Sequence, residues 1–422
     1  MCLSLRSSAA LLTTLIVAGS ASSQSPRVCE PAALLHTDNT PVETAADWRT
    51  RRRPAVLELF RRHVYGRAPA RREVRVEALE QGEALGGAAI RKQWRVRYDD
   101  APEASIDVLA YLPRAAAGPT PVFLALNFDG NHTVSADPEV RLASCWLRNN
   151  AQLGVDDHRA NAKSRGRKAR RWPARELVSR GYGLVTACYG DIDPDFDDGF
   201  ENGVHGVLER QEGERPDDAW GSISAWAWGL SRILDSLELD DAIDAERVAV
   251  LGHSRLGKTA LWAGAQDERF WVVISNDSGC GGAAYSRRRR GETVAVINKN
   301  FPHWFCPRFH HYGGKEEQLP VDQHLLVALC APRPVYVASA EKDAWADPEG
   351  EFLSALGADP VYRLVCGEGL PVDEIPAVDV PAHGRIGYHV RAGKHDLLLA
   401  DWQHYLDFAD LHLGDEAQRR RR

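Results

Sequence analysis

Ser254 stands in the run Gly252-His253-Ser254-Arg255-Leu256-Gly257-Lys258, directly after the buried-strand pattern Arg247-Val-Ala-Val-Leu251 and directly before a helical stretch that continues to Gln266. A serine on a sharp strand-to-helix turn, with glycines that let one backbone pass close to another, is presented at the strand end where it can attack a carbonyl. The spacing here is G-x-S-x-x-G rather than the commoner G-x-S-x-G, so the strand and helix context carries the reading. A serine hydroxyl at its own pKa is a weak nucleophile and requires a base within hydrogen-bond reach. His395 meets that need, because it follows the strand pattern Gly387-Tyr-His-Val390 and precedes the last long helical stretch.

An acid has to fix the imidazole tautomer and stabilise the imidazolium. Asp343, in Ala340-Glu-Lys-Asp343 after the strand at residues 335–338, is the first candidate, and Asp277, in Ile274-Ser-Asn-Asp277, is the second. Either gives the chain order Ser, Asp, His that goes with the nucleophile elbow of α/β-hydrolases. Oxyanion donors, each worth on the order of 10² to 10³ in rate, are expected from the backbone N–H of Arg255 and from the loop at residues 127–132. The side chain of Arg255 adds a further donor. A competing constellation is His303, Cys306, His310 and His311. The first two are spaced for ligation from one helical turn, but Pro307 breaks a helix running on to the others, so no metal site is expected.

Positioning such residues takes a sheet. Short apolar runs at residues 122–126, 183–188, 248–251, 271–274, 335–338 and 387–390 alternate with helical stretches at 170–180, 220–238, 256–266, 324–330 and 397–413. That alternation predicts a mostly parallel sheet with helices on both faces. Ahead of it, the patterns at 74–79, 89–98 and 106–112 predict antiparallel opening strands. Trp48, Val56, Leu57, Leu59, Phe60 and Val64 recur at helical spacing. The organisation read from the chain is a leader at residues 1–23, an N-terminal segment at 24–70 packing on the main domain, one catalytic domain at 71–413 and a basic tail at 414–422.

The 422 residues carry 52 Lys+Arg against 59 Asp+Glu, a net charge of −7, with 44% hydrophobic and 26% charged residues. Disorder, collagen and coiled coil are excluded by that composition. Arg6, the apolar run from Ala9 to Ala18 and the small residues Gly19-Ser-Ala-Ser-Ser23 read as a secretory signal, which places the mature chain outside the cell or in a periplasm. After it, no run of about 18 apolar residues occurs, so no membrane span is expected. Cleavage removes Cys2 and leaves an odd set of widely spaced cysteines, Cys29, Cys145, Cys188, Cys280, Cys306, Cys330 and Cys366, which is no disulfide framework and which sequence cannot pair. The basic clusters at residues 49–53, 163–175, 287–290 and 419–422 are scattered on a net acidic chain without a stacking-aromatic motif, so nucleic acid is not an expected partner.

The Gly252 to Lys258 run resembles the G-C-S-R-x-G-K signature of glucuronoyl esterases, carbohydrate esterase family fifteen. Its bacterial branch is matched further by Leu126-Asn-Phe-Asp-Gly-Asn-His-Thr133, Arg171-Trp-Pro173, Tyr189-Gly-Asp-Ile-Asp-Pro194, Asn276-Asp-Ser-Gly279, Phe301-Pro-His-Trp-Phe-Cys306 and Ala331-Pro-Arg333. The resemblance implies an α/β-hydrolase fold, a three-layer sandwich, and cleavage of the ester between 4-O-methyl-glucuronate on xylan and a lignin alcohol, with no metal or organic cofactor and a monomeric enzyme. It implies Ser254 as nucleophile, His395 as base, Arg255 at the oxyanion, and Lys258, Trp345 and Glu292 at the sugar. The family places its acid at the position of Asp277 in some members and of Asp343 in others, and many members carry Glu where this chain has Asp277. Fungal relatives bridge a cysteine before the nucleophile to one beside the histidine. Here those residues are His253 and Lys394, so that staple is absent and His253 is read as a packed neighbour. An acetyl or feruloyl esterase, and a non-catalytic polysaccharide-binding protein, are the alternatives.

Overall fold

A computed structural model describes residues 32–419 apart from 100, 102 and 210–213, with side chains described as far as residue 413; the leader expected at residues 1–23 lies outside the described residues. Period-2 alternation in the strands sets the layers. In β4 (Thr120–Asn127), Val122, Leu124 and Leu126 enter one core and Phe123 and Ala125 the other. The same division separates Val248 and Val250 from Ala249 and Leu251, and Val335 and Val337 from Tyr336 and Ala338. Strands buried on both faces in this way read as unbroken apolar runs, as those of parallel sheets do.

The sheet begins with β1 (Arg75–Ala84), β2 (Ala89–Arg97) and β3 (Ser105–Pro113), which pair antiparallel. Its other strands are β5 (Gly183–Cys188), β6 (Ile243–His253), β7 (Val272–Asn276), β8 (Val335–Ala340), β9 (Ala382–His383) and β10 (Ile386–Arg391). The spatial order is β1-β2-β3-β5-β4-β6-β7-β8-β10-β9. From β5 to β10 every pairing is parallel, while β3–β5 and β10–β9 are antiparallel.

At the N-terminus, α1 (Ala45–Asp47) and α2 (Arg53–Phe60) join through π-helical turns into one run that ends at Tyr65. It packs on the main core: the Tyr65 ring stacks on Trp262 at 4.4 Å, and Arg53 donates to the carbonyls of Ala265 and Leu329 at 2.9 and 3.2 Å. The remaining helices are α3 (Ala174–Ser179), α4 (Gly203–Leu208), α5 (Ser222–Leu237), α6 (Arg255–Gln266), α7 (Val294–Asn300), α8 (Gln323–Ala328), α9 (Pro348–Cys366) and α10 (Leu399–Arg419). Trp226, Ile233, Leu261, Trp262, Leu325 and Phe352 put α5, α6, α8 and α9 on one face of the sheet. Leu177, Trp402, Tyr405 and Phe408 put α3 and α10 on the other. Among the described residues no helix is long and apolar enough to cross a membrane.

Several elements depart from expectation: the short α4 and α7 lie outside the expected helical stretches, and two larger differences have a physical reason. The helix expected over residues 170–180 breaks into a 3₁₀ turn at Ala169–Arg171 and the short α3, because Pro173 restricts the backbone of Trp172. The helix α9 was not anticipated at all. It contains Pro360 along with Gly350 and Gly357, residues that disfavour a helix, and forms because Phe352, Ala355, Ala358 and Val361 bury one face of it in the core.

Candidate active site

Ser254 occupies the junction of β6 and α6 with φ 60° and ψ −129°, a conformation that costs a non-glycine residue roughly 1–3 kcal/mol. The flanking glycines make the turn fit. A Cβ on Gly252 would lie 1.7 Å from the carbonyl oxygen of Leu256, and one on Gly257 would lie 2.9 Å from Cβ of Ser278. The close approach to the next strand's loop therefore occurs at residue 257, while Leu256 is free to bury in the core, which accounts for the extra residue in the G-x-S-x-x-G spacing. The Ser254 N–H donates to the Asn276 carbonyl at 2.9 Å and ties the elbow to β7.

The loops after β8 and β10 are clamped together: Glu341 N–H donates to Arg391 O and Lys342 N–H to Gly393 O, both at 2.8 Å. That clamp places His395 Nδ1 at 2.6 Å from Oδ2 of Asp343, whose Oδ1 is oriented by the N–H of Ala346 at 3.3 Å. The Asp343 carboxylate is buried while the imidazole is 40% exposed, so its Nε2 is left for another partner. His395, Ser254 and Arg255 line one cavity of about 290 Å³, whose wall also carries Phe128, Arg148, Arg171 and Tyr189. Of the loop expected to supply a second oxyanion donor, Phe128 and Asp129 reach this cavity.

Asp277 lies beside the pair without bonding the histidine. Ligand-type atoms of Asp277, Asp343 and His395 all fall within 4.8 Å of one another. Asp277 Oδ2 accepts from Arg391 Nη2 and from the Asp396 N–H, both at 3.3 Å, whereas its buried Oδ1 has no hydrogen-bond partner among the described residues. Burial pushes the Asp277 carboxyl well above the ordinary carboxylate range, and the charges of Glu351 and Asp343 add to it. Arg391 opposes that rise, but its guanidinium also serves Asp401 at 3.0 Å and several carbonyls, so Asp277 receives only a share of it. His253 is buried behind His395, with ring centroids 4.5 Å apart and its Nδ1 at 2.6 Å from Oδ1 of Asn276. Burial, then the neighbouring His395, holds it neutral.

Arg255 projects from the first turn of α6 onto an aromatic floor, 4.7 Å above Trp304 and 5.4 Å above Phe301, with its Nη1 on Oδ2 of Asp195. Asp195 is fully buried and accepts from Trp304 Nε1 at 2.8 Å, His303 Nε2 at 3.0 Å and Tyr189 Oη at 3.1 Å. Burial alone pushes its carboxyl up, but the His303 bond, the Arg255 charge and the Trp304 bond together hold it ionised, below the usual range. His303 is thus engaged with Asp195. Cys306 Sγ faces Arg62 O at 4.0 Å, and His310 Nε2 donates to Pro302 O at 3.1 Å, so the histidine–cysteine constellation does not converge on a metal.

Lys258 follows Ser254 by one helical turn and is buried, with Nζ on the Ser278 carbonyl and 3.9 Å from Oε2 of Glu292. Burial lowers its pKa and Glu292 opposes that shift. Glu292 donates its N–H to the carbonyl of Trp345 at 2.9 Å, and Trp345 is 53% exposed. These three form a connected group, but none of them lines the cavity that holds Ser254.

Sequence reasoning missed two buried carboxylates. Asp195 directly follows the family-like stretch Tyr189-Gly-Asp-Ile-Asp-Pro194, so its position carried a signal that its role did not. Glu351 receives the N–H groups of Ser278 and Gly279 at 2.7 and 2.9 Å and the hydroxyl of Ser339 at 2.7 Å, which fixes the loop after Asp277. Burial pushes its carboxyl up to about 7.

A family model for fungal glucuronyl esterases matches residues 215–366. A carbohydrate esterase from an unknown prokaryotic organism is 49% identical over 401 residues, covering 94% of this chain and 92% of that protein. Among solved structures, a promiscuous CE15 esterase from a marine bacterial metagenome is 49% identical with a TM-score of 0.85, covering 92% of this chain and 98% of that one. A glucuronoyl esterase from Solibacter usitatus is 45% identical with a TM-score of 0.86 over the same shares. With the elbow serine, the paired histidine and carboxylate and the mixed sheet in place, this chain belongs to the bacterial branch of the glucuronoyl esterase family, carbohydrate esterase family fifteen, and is a carboxylic ester hydrolase of the α/β-hydrolase fold.

Proposed function

We propose that this chain hydrolyses esters of glucuronate, and in particular the ester between (4-O-methyl-)glucuronate of glucuronoxylan and an alcohol of lignin, acting outside the cell or in a periplasm. The observation that carries the reading is the 2.6 Å bond from His395 to Asp343 at the mouth of the cavity that also holds Ser254. His395 takes the Ser254 proton as Oγ attacks the uronate carbonyl, and the collapsing tetrahedral intermediate expels the alcohol, which leaves with that proton. Water, deprotonated by the same imidazole, then cleaves the glucuronoyl-serine ester. Asp343 holds the tautomer and the charge of the imidazolium. The developing oxyanion is met by the backbone N–H of Arg255 and by its guanidinium, anchored on Asp195.

On the sugar side, Lys258 and Glu292 supply hydroxyl contacts and the exposed indole of Trp345 supplies a flat face for the pyranose. Several guanidinium donors in the cavity wall, from Arg148, Arg171 and Arg255, suit a substrate whose product is a carboxylate. No step needs a cofactor. A second reading, an esterase that also accepts acetyl or feruloyl esters, is favoured by one relative being a promiscuous esterase. Rates on methyl and benzyl glucuronate, methyl galacturonate, an acetyl ester and a feruloyl ester, measured side by side for the wild type and Lys258→Met, decide between them. The uronate reading expects glucuronate esters to lead, and Lys258→Met to lose roughly 10- to 100-fold in kcat/KM on them while leaving the acetyl ester within a few-fold. Equal rates on acetyl esters, or a uniform loss in the variant, would favour the second reading.

A further inference from the structure

Cys145 and Cys188 are far apart in sequence and adjacent in space. Their Sγ atoms stand 3.4 Å apart across 43 positions. Cys188 is the last residue of β5 and is buried, so it is fixed by the central sheet. Cys145 belongs to the long irregular segment between β4 and α3, is half-buried, and borders a cavity of about 580 Å³. Trp146, also in that wall, stacks on His158 at 4.9 Å and packs on Phe196 at 4.7 Å. A few residues on, the same segment supplies Arg148, Asn149 and Asn150 to the catalytic cavity, and Tyr189, next to Cys188, lines it as well.

A disulfide needs its sulfurs at about 2.05 Å, so bonding asks for an approach of roughly 1.4 Å, within reach of side-chain torsion at the half-buried partner. Cys306 and Cys330, by contrast, are buried with Sγ against the backbone carbonyls of Arg62 and Leu326. We propose that Cys145 and Cys188 are a disulfide-forming site that pins one wall of the catalytic cavity to the central sheet. The oxidant is a disulfide compound of the kind an oxidising compartment provides. The Cys145 thiolate attacks one sulfur of that disulfide, forming a mixed disulfide and releasing one thiolate; Cys188 then attacks Cys145 Sγ and releases the second. The two thiol protons end on the two released thiols, so the oxidant is reduced by two electrons and the protein loses two hydrogens. The proposal stands apart from the reading of the ester substrate.

The test incubates the full chain with oxidised glutathione or with dithiothreitol, alkylates it in denaturant, and maps non-reduced peptides by mass. The oxidised sample is expected to show two fewer alkylated cysteines and one cross-linked peptide joining Cys145 to Cys188. Cys145→Ser and Cys188→Ser should each abolish that peptide while leaving the fold intact by circular dichroism. Protease cleavage within residues 141–160 should be several-fold faster in the reduced wild type than in the oxidised one, a difference absent from both variants. Full alkylation of both cysteines after prolonged oxidation, a glutathione adduct on Cys145 that never resolves onto Cys188, or a cross-link to another cysteine would each overturn the proposal.

Discussion

Replacing each of the two candidate acids by its amide separates the carboxylate bonded to the imidazole from its neighbour, which is not. Asp343 accepts from the imidazole at 2.6 Å and is buried, so its charge acts on His395 through a short, poorly screened bond. In Asp343→Asn the amide NH₂ can meet Nδ1 only by favouring the wrong tautomer, and the imidazolium loses its counter-charge. Loss of this kind in triads is about 10⁴ in kcat, which at 1.36 kcal/mol per decade is about 5.4 kcal/mol of transition-state stabilisation. Asp277 is different in kind. Its carboxyl is pushed up by burial and by the neighbouring carboxylates Glu351 and Asp343, and it is bonded to Arg391 and the Asp396 N–H rather than to the imidazole. An amide is close to isosteric with a carboxyl group, and Asp277→Asn keeps an acceptor for Arg391 and the Asp396 N–H. Its expected loss is under about 10-fold. The assay is steady-state hydrolysis of benzyl glucuronate at neutral pH, with melting curves confirming that both variants fold. A larger loss in Asp277→Asn than in Asp343→Asn would refute the assignment.

Other consequences follow from the same buried charges. Because the folded pKa of Asp277 is raised, the folded state retains a proton that the unfolded chain loses above about pH 3.9, so this group lowers stability as pH climbs from there toward its folded value. The melting temperature of Asp277→Asn relative to wild type should therefore rise between pH 4 and pH 8, and a difference that stays flat contradicts the shift. Asp195→Ala strips the partner from Arg255 and leaves the Trp304 and His303 donors unpaired; about 3–5 kcal/mol of stability should be lost in denaturant titrations. A near-neutral effect of that variant would mean that the Asp195 cluster does not hold Arg255 in place.

The sheet was legible because strands buried on both faces must be apolar throughout, as residues 122–126 and 335–338 are, and because Gly252 and Gly257 mark a turn that tolerates no Cβ. His395 and the pair of candidate acids, Asp343 and Asp277, could be put forward from chain order and from their places after strands, since loops that follow parallel strands leave the same edge of the sheet; chain order did not choose between the two acids. What stayed hidden depends on tertiary contacts. The helix α9 carries Pro360 and is held by packing, so neither it nor Glu351 on its first turn could be found by local propensity. Asp195 is polar and looks like any loop aspartate until Trp304 and His303, more than a hundred positions later, fold over it. The same blindness affects Cys145 and Cys188, whose proximity is set by how the segment after β4 returns to β5.

The most direct measurement is intact-mass and peptide analysis of the protein treated with a serine-directed organophosphonate, run alongside benzyl glucuronate turnover. The account predicts a single adduct on Ser254, no adduct and no turnover in Ser254→Ala, and labelling slowed by at least about 10³ in His395→Ala. A Ser254→Ala protein that folds and still turns over the ester, or an adduct on a different serine, would contradict it.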